Sequence, residues 1–91
     1  MGACMYEVVI KRKIERGLHK LPPGVVQRFR ALVNLLRVKG PALPELPNYS
    51  KLGDDTYHCH LGYHHAACWR NVNGTITIEV YYVGSREGAP Y

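Results

Sequence analysis

The sequence predicts an α+β domain in which a helical hairpin covers one face of a mainly antiparallel four-stranded sheet, in the order β-α-α-β-β-β. Three observations carry that prediction. A β-rich apolar run opens the chain, two stretches with apolar residues every three or four positions follow, and beyond Thr56 the period changes to two. With 91 residues, 46% of them hydrophobic and 21% charged, the chain is expected to be a single folded domain over residues 1–91, with one core.

The first strand is "MYEVVIKR", residues 5–12, expected to end near Lys11 where the sequence turns basic. In "KIERGLHKL", 13–21, Ile14, Leu18 and Leu21 have helical spacing while Gly17 weakens the helix, so a short one is predicted. Pro22-Pro23 breaks the chain and restarts it, because a proline in the first turn lacks only an N–H that would have had no partner. The second helix places Val25, Val26, Phe29, Leu32, Val33 and Leu36 on one face and stops at Gly40-Pro41.

Residues 41–55, "PALPELPNYSKLGDD", carry three prolines and a Gly-Asp-Asp run, predicting an extended connection with no helix or strand of its own. Its length predicts that it crosses one end of the fold or contributes to a site. From Thr56, Tyr57, Cys59 and Leu61 alternate with His58 and His60, as in a strand with one buried face. Beyond Gly62, "YHHAACWRNV" reads as the third strand, with Trp69 expected in the core. Asn73-Gly74 signals a hairpin into the fourth, "TITIEVYYVG", where Ile76, Ile78, Val80 and Tyr82 fall on one face and Thr77, Glu79 and Tyr81 on the other.

A helical hairpin covers only one face of such a sheet, so the other is left to display His58, His60, Glu79 and Tyr81. Four of the five histidines and two of the three cysteines lie within "TYHCHLGYHHAACWR", residues 56–70. A solvated strand face is the plainest explanation. A metal site is a second, but the alternation sends Cys59 to the face opposite His58 and His60, and no C-x-x-C pair is present; no metal or other cofactor is expected. The third is proton transfer on RNA: a base to deprotonate a ribose 2′-hydroxyl, an acid for the leaving 5′-oxygen and a cation for the charged phosphorane, with histidine suited to the first two and arginine to the last. The formal charge of +5 favours a polyanionic partner. The odd cysteine count and an N-terminus without a leader pattern predict a cytoplasmic protein with free thiols and no membrane association.

The C-terminal "IEVYYVGSREGAPY", the segment "NYSKLGDDTYHCHLGYHHAACWR" and the strand order together resemble the RelE/ParE superfamily of bacterial and archaeal toxins. The most telling pieces are the Val-Gly-x-Arg turn after the last strand with a tyrosine shortly beyond it, and "SKL" before the second strand. The resemblance implies an endoribonuclease that cuts mRNA in the ribosomal A site with basic residues and a terminal tyrosine on the open sheet face. It places the family arginine on Arg86, as phosphorane stabiliser, and the tyrosine on Tyr91, as the residue that places the nucleotide. The family's two lysines of the second strand fall on His58 and His60, either of which would be the general base, and the arginine of the third strand falls on His64 or His65, as a second proton carrier or phosphate contact. Lys51 and Arg70 would contact backbone phosphate, with Tyr81 beside the substrate. Glu79, a candidate from its position on the open face, would orient a histidine or act as base.

The resemblance also implies partners: an antitoxin whose acidic or amphipathic segment wraps the basic domain in a mixed oligomer, and the ribosome with its mRNA. The alternatives within the superfamily are a ParE-like gyrase inhibitor without catalysis and a degenerate toxin that retains only antitoxin binding.

Overall fold

The computed structural model describes residues 5–46 and 48–90. Its elements are β1 (Glu7–Ile10), α1 (Arg12–Gly17), a 3-10 turn (Leu18–Lys20), α2 (Pro23–Lys39), β2 (Ser50–Lys51), β3 (Thr56–His60), β4 (His65–Asn71) and β5 (Thr77–Ser85). They form one five-stranded sheet in the order β1-β5-β4-β3-β2, antiparallel except where β1 runs parallel to β5. The helices lie between β1 and the rest in sequence and supply the long crossover that a parallel pair requires.

Each helix boundary has a local cause. The apolar spacing of residues 13–21 does not yield one continuous helix: α1 ends at Gly17, the chain tightens into the 3-10 turn, and Leu21 and Pro22 are extended. The Pro22 carbonyl accepts from the N–H groups of Val25 and Val26, which starts α2 with Pro23 in its first turn. The apolar stripe of α2 buries Val25, Phe29, Leu32, Val33 and Leu36 against the sheet. Gly40 ends the helix at φ +92, and a Cβ there would stand 2.8 Å from the Tyr6 ring, so both backbone and space demand glycine.

The connection after α2 departs from expectation. It contains a fifth strand, β2, in which Ser50 pairs with His58 and Lys51 with Tyr57. It also completes the core: Leu43 is fully buried, Tyr49 stacks on Tyr57 at 6.2 Å, and the Pro41 carbonyl accepts the Trp69 indole N–H at 2.9 Å. Tyr57 and Trp69, cross-strand partners in β3 and β4, stack nearly parallel at 6.2 Å. The four-stranded sheet of the prediction is thus five-stranded, because period-two patterning cannot reveal a two-residue strand.

At the β4–β5 turn, Asn73 and Gly74 both have positive φ, at 51 and 70, and the Val72 carbonyl accepts from the Thr75 N–H, as a type I′ turn requires. Further along, Cys68 pairs with Tyr82 and Trp69 with Val80, so Tyr81 is the extra residue of a β-bulge. Ile78 and Val80 face the core and Glu79 faces away from it, as predicted, but the bulge reverses the predicted facing of Tyr82. Tyr82 sits opposite Cys68 in the row of His58, away from the helices, while Val83 pairs with Ala67 and packs on the core. Ile76, expected to face the core, is exposed.

Candidate functional site

The register fixes which side chains share the helix-free face. In β3 and β4, Tyr57, Cys59, Ala67 and Trp69 belong to the core, which leaves His58, His60, Ala66, Cys68 and Arg70 on the other side. The His58 and His60 rings are 5.7 Å apart and inclined at 60°. They are not equivalent. His58 is buried, at 7% exposure, whereas His60 is half-buried and open to approach.

Burial also holds the His58 imidazole below its ordinary pKa, with a hydrogen bond to the Ser50 backbone acting in the opposite direction. The His60 pKa is lowered as well, first by burial and then by the positive charges of Arg86 and His58. Arg86 therefore turns back within electrostatic reach of His60. Two hydrogen bonds keep it there: its N–H donates to the His64 carbonyl at 2.9 Å, and its guanidinium donates to the Tyr63 carbonyl at 2.8 Å. It is in no ion pair with a described residue.

Of the two alternatives on the third strand, His64 lies in the β3–β4 turn and lines a cleft with Arg86, while His65 pairs with Ser85 in the register row of Ala67 and Trp69, toward the helices. Glu79 faces away from the helices but is held by Arg70, whose Nε and terminal nitrogen both approach one carboxylate oxygen at 2.8 Å. It does not orient a histidine, and Arg70 is engaged rather than free. Lys51 is exposed on β2 opposite Tyr57, in a row that does not contain His58. Tyr81 lies within electrostatic reach of Cys68 and Arg70, and its own pKa is raised chiefly by burial. Tyr91 lies outside the described residues.

Neither cysteine of the strands is poised for chemistry. Burial pushes the Cys59 thiol up to about 12 and the Cys68 thiol up to about 11, so both stay protonated at neutral pH. Cys59 faces the helices. Among the described residues, no three His, Cys, Asp or Glu side chains gather as a metal-ion cage.

Three neighbours of the histidines escaped the sequence patterning. Ser50 meets His58 only because β2 exists, and Cys68 comes beside His58 on the same face through register. Tyr63 follows Gly62, whose φ of 124 makes the tight turn, and stands at 88% exposure beside Arg86. An aromatic residue just after a turn glycine, next to the open-face histidines, was the available signal for it.

By sequence, no family model and no curated protein matches the chain. Solved structures do match. The archaeal RelE–RelB complex from Pyrococcus horikoshii has a chain that aligns with a TM-score of 0.74 at 20% identity, covering 93% of this chain and 99% of that one. An arginine-to-alanine double mutant of E. coli toxin RelE in the free state aligns at 0.72 with 14% identity, covering 93% and 87%. The toxin–antitoxin complex RelBE2 from Mycobacterium tuberculosis aligns at 0.54 with 21% identity, covering 89% and 98%. At these identities the likeness is one of architecture, and the architecture of this chain is the RelE toxin fold.

Proposed function

We propose that the protein is the toxin of a toxin–antitoxin pair and an endoribonuclease that cleaves mRNA on the ribosome without a metal. The observation that carries this reading is the approach of Arg86 to His60 on the face of the sheet left free by the helices, with the His60 pKa depressed. A depressed pKa leaves the imidazole neutral near pH 7, as a general base requires. Neutral His60 takes the proton of the ribose 2′-hydroxyl, whose oxygen attacks the adjacent phosphorus. Arg86 stabilises the negative charge of the phosphorane. The P–O5′ bond breaks, His64 gives the leaving oxygen its proton, and the products are a 2′,3′-cyclic phosphate and a 5′-hydroxyl. His58, buried beside His60 on the same face of β3, keeps its ring 5.7 Å from that of His60.

The RelB partner of the P. horikoshii protein and the toxin–antitoxin complex from M. tuberculosis support an antitoxin partner for this chain too. Among the described residues no helix is long and apolar enough to cross a membrane.

The test is cleavage of mRNA on ribosomes with an empty A site. Arg86→Ala is expected to lower the cleavage rate about 100-fold. Its unfolding free energy should stay within about 1 kcal/mol of the parent, since the side chain is exposed. Cleavage by the parent should persist when transition metals are chelated and the Mg2+ that the ribosome needs is kept. Inhibition of DNA gyrase without mRNA cleavage would establish the ParE-like alternative instead.

A further inference from the structure

The turn between β3 and β4 and the turn after β5 enclose a cleft of about 420 Å³, lined by Tyr63, His64, Ser85, Arg86 and Glu87. We propose that this cleft is a nucleobase subsite, in which Tyr63 stacks on the base and Glu87 accepts a hydrogen bond from an exocyclic amino group. The chain would then favour cytosine, adenine or guanine over uracil beside the scissile phosphate. The inference rests on the nuclease reading and adds to it a preference among bases.

The walls of the cleft are fixed. Leu61 and His65 close the base of the β3–β4 turn with a 2.8 Å hydrogen bond, and the two bonds from Arg86 to the Tyr63 and His64 carbonyls join that turn to the C-terminal one. On the other side, the Ser85 carbonyl accepts from the Tyr82 hydroxyl at 2.6 Å, and the Glu87 N–H donates to the Ser85 hydroxyl at 3.1 Å. These contacts hold the turns and leave the Tyr63 ring in solvent at 88% exposure, 6.4 Å from the tilted His64 ring. The hydrogen-bonded turn thus displays two exposed rings side by side. Unstacked RNA bases are bound by such surfaces, through stacking on tyrosine and histidine.

The charges then orient the nucleotide. Arg86 attracts the phosphodiester, whereas the Glu87 carboxylate repels it and accepts hydrogen bonds only. A base placed between them turns its donor edge to Glu87. Cytosine, adenine and guanine each present an exocyclic amine, while the single ring N–H on the pairing edge of uracil is flanked by two carbonyl oxygens that the carboxylate repels.

Ribosomes programmed with mRNAs that differ only in the A-site bases provide the test. Tyr63→Ala is expected to lower kcat/KM about tenfold or more through KM, with Tyr63→Phe near the parent. Glu87→Gln, whose amide both donates and accepts, is expected to raise cleavage next to uracil until the preference among bases falls to about twofold or less. Both side chains are exposed, so folding is retained. Cleavage by the parent with no change in either variant would overturn the subsite. Absence of cleavage by the parent would refute the nuclease reading and leave the subsite to a titration with CMP and UMP. Larger shifts of the Tyr63 and His64 ring resonances with CMP would support it, and equal or absent shifts would overturn it.

Discussion

His60→Ala is expected to lower single-turnover cleavage of ribosome-bound mRNA about 100-fold or more, the usual range for loss of a positioned general base. His60 is the accessible member of the histidine pair and the one that feels Arg86. The pH profile gives a sharper readout than the rate alone. Because the folded pKa lies below 6.5, the rising limb of the parent's rate against pH, set by the loss of a proton from His60, should lie under pH 6.5. His60→Lys, which restores the residue type the resembled toxins carry on this strand, should move the rising limb to higher pH. A variant lacking His60 that kept more than about a third of the activity would return the base role to His58. The same shifts enter stability. The unfolded chain takes up protons at the two histidines more readily than the fold does, so their contribution is fully present above pH 6.5 and is lost as pH falls through the lower folded values. Urea midpoints measured at pH 5 and pH 7 should therefore differ, with the lower midpoint at pH 5, and by less in His60→Ala.

Trp69→Ala is expected to cost about 3–5 kcal/mol of folding free energy, a large part of what a domain of this size has. The indole is fully buried, stacks on Tyr57 and donates to the Pro41 carbonyl, so its loss opens a cavity and strands an acceptor. Trp69→Phe keeps most of the ring packing and should cost less, about 1–2 kcal/mol from the missing N–H donor and the smaller ring. Unfolding followed by far-UV circular dichroism avoids reliance on the chain's single tryptophan as reporter. A loss for Trp69→Ala below about 1.5 kcal/mol would mean that the segment after α2 is not anchored through this side chain.

Most of the architecture is legible because the core is written in the two helical periods and in the Tyr57, Cys59 and Leu61 alternation. The placement of Cys59 inward and His58 outward also came from period two. What escaped was set by tertiary pairing. β2 is too short to have a period, and Leu43 and Tyr49 enter the core from a proline-rich segment that reads as a connection. For the site, the sequence brought attention to the histidines but could not separate them: register buries His58 and sends His65 toward the helices, while a turn puts His64 at Arg86. Glu79 was legible as a residue on the open face, but its capture by Arg70 depends on a cross-strand meeting that neither segment announces.

The extra residue at Tyr81 bears on how this chain tolerates shortening. In a regular strand, deleting one residue inverts every side chain beyond the deletion and would bring polar groups into the core. In β5, Val80 and Tyr82 already pair with adjacent residues of β4, so excision of Tyr81 would join two partners in register and leave Tyr82, Val83 and the turn bearing Arg86 on their present sides. Tyr81 is thus the position in this strand where a one-residue gap between related chains can arise while every later side chain keeps its facing, and alignments that place the gap elsewhere in β5 would misassign the residues between.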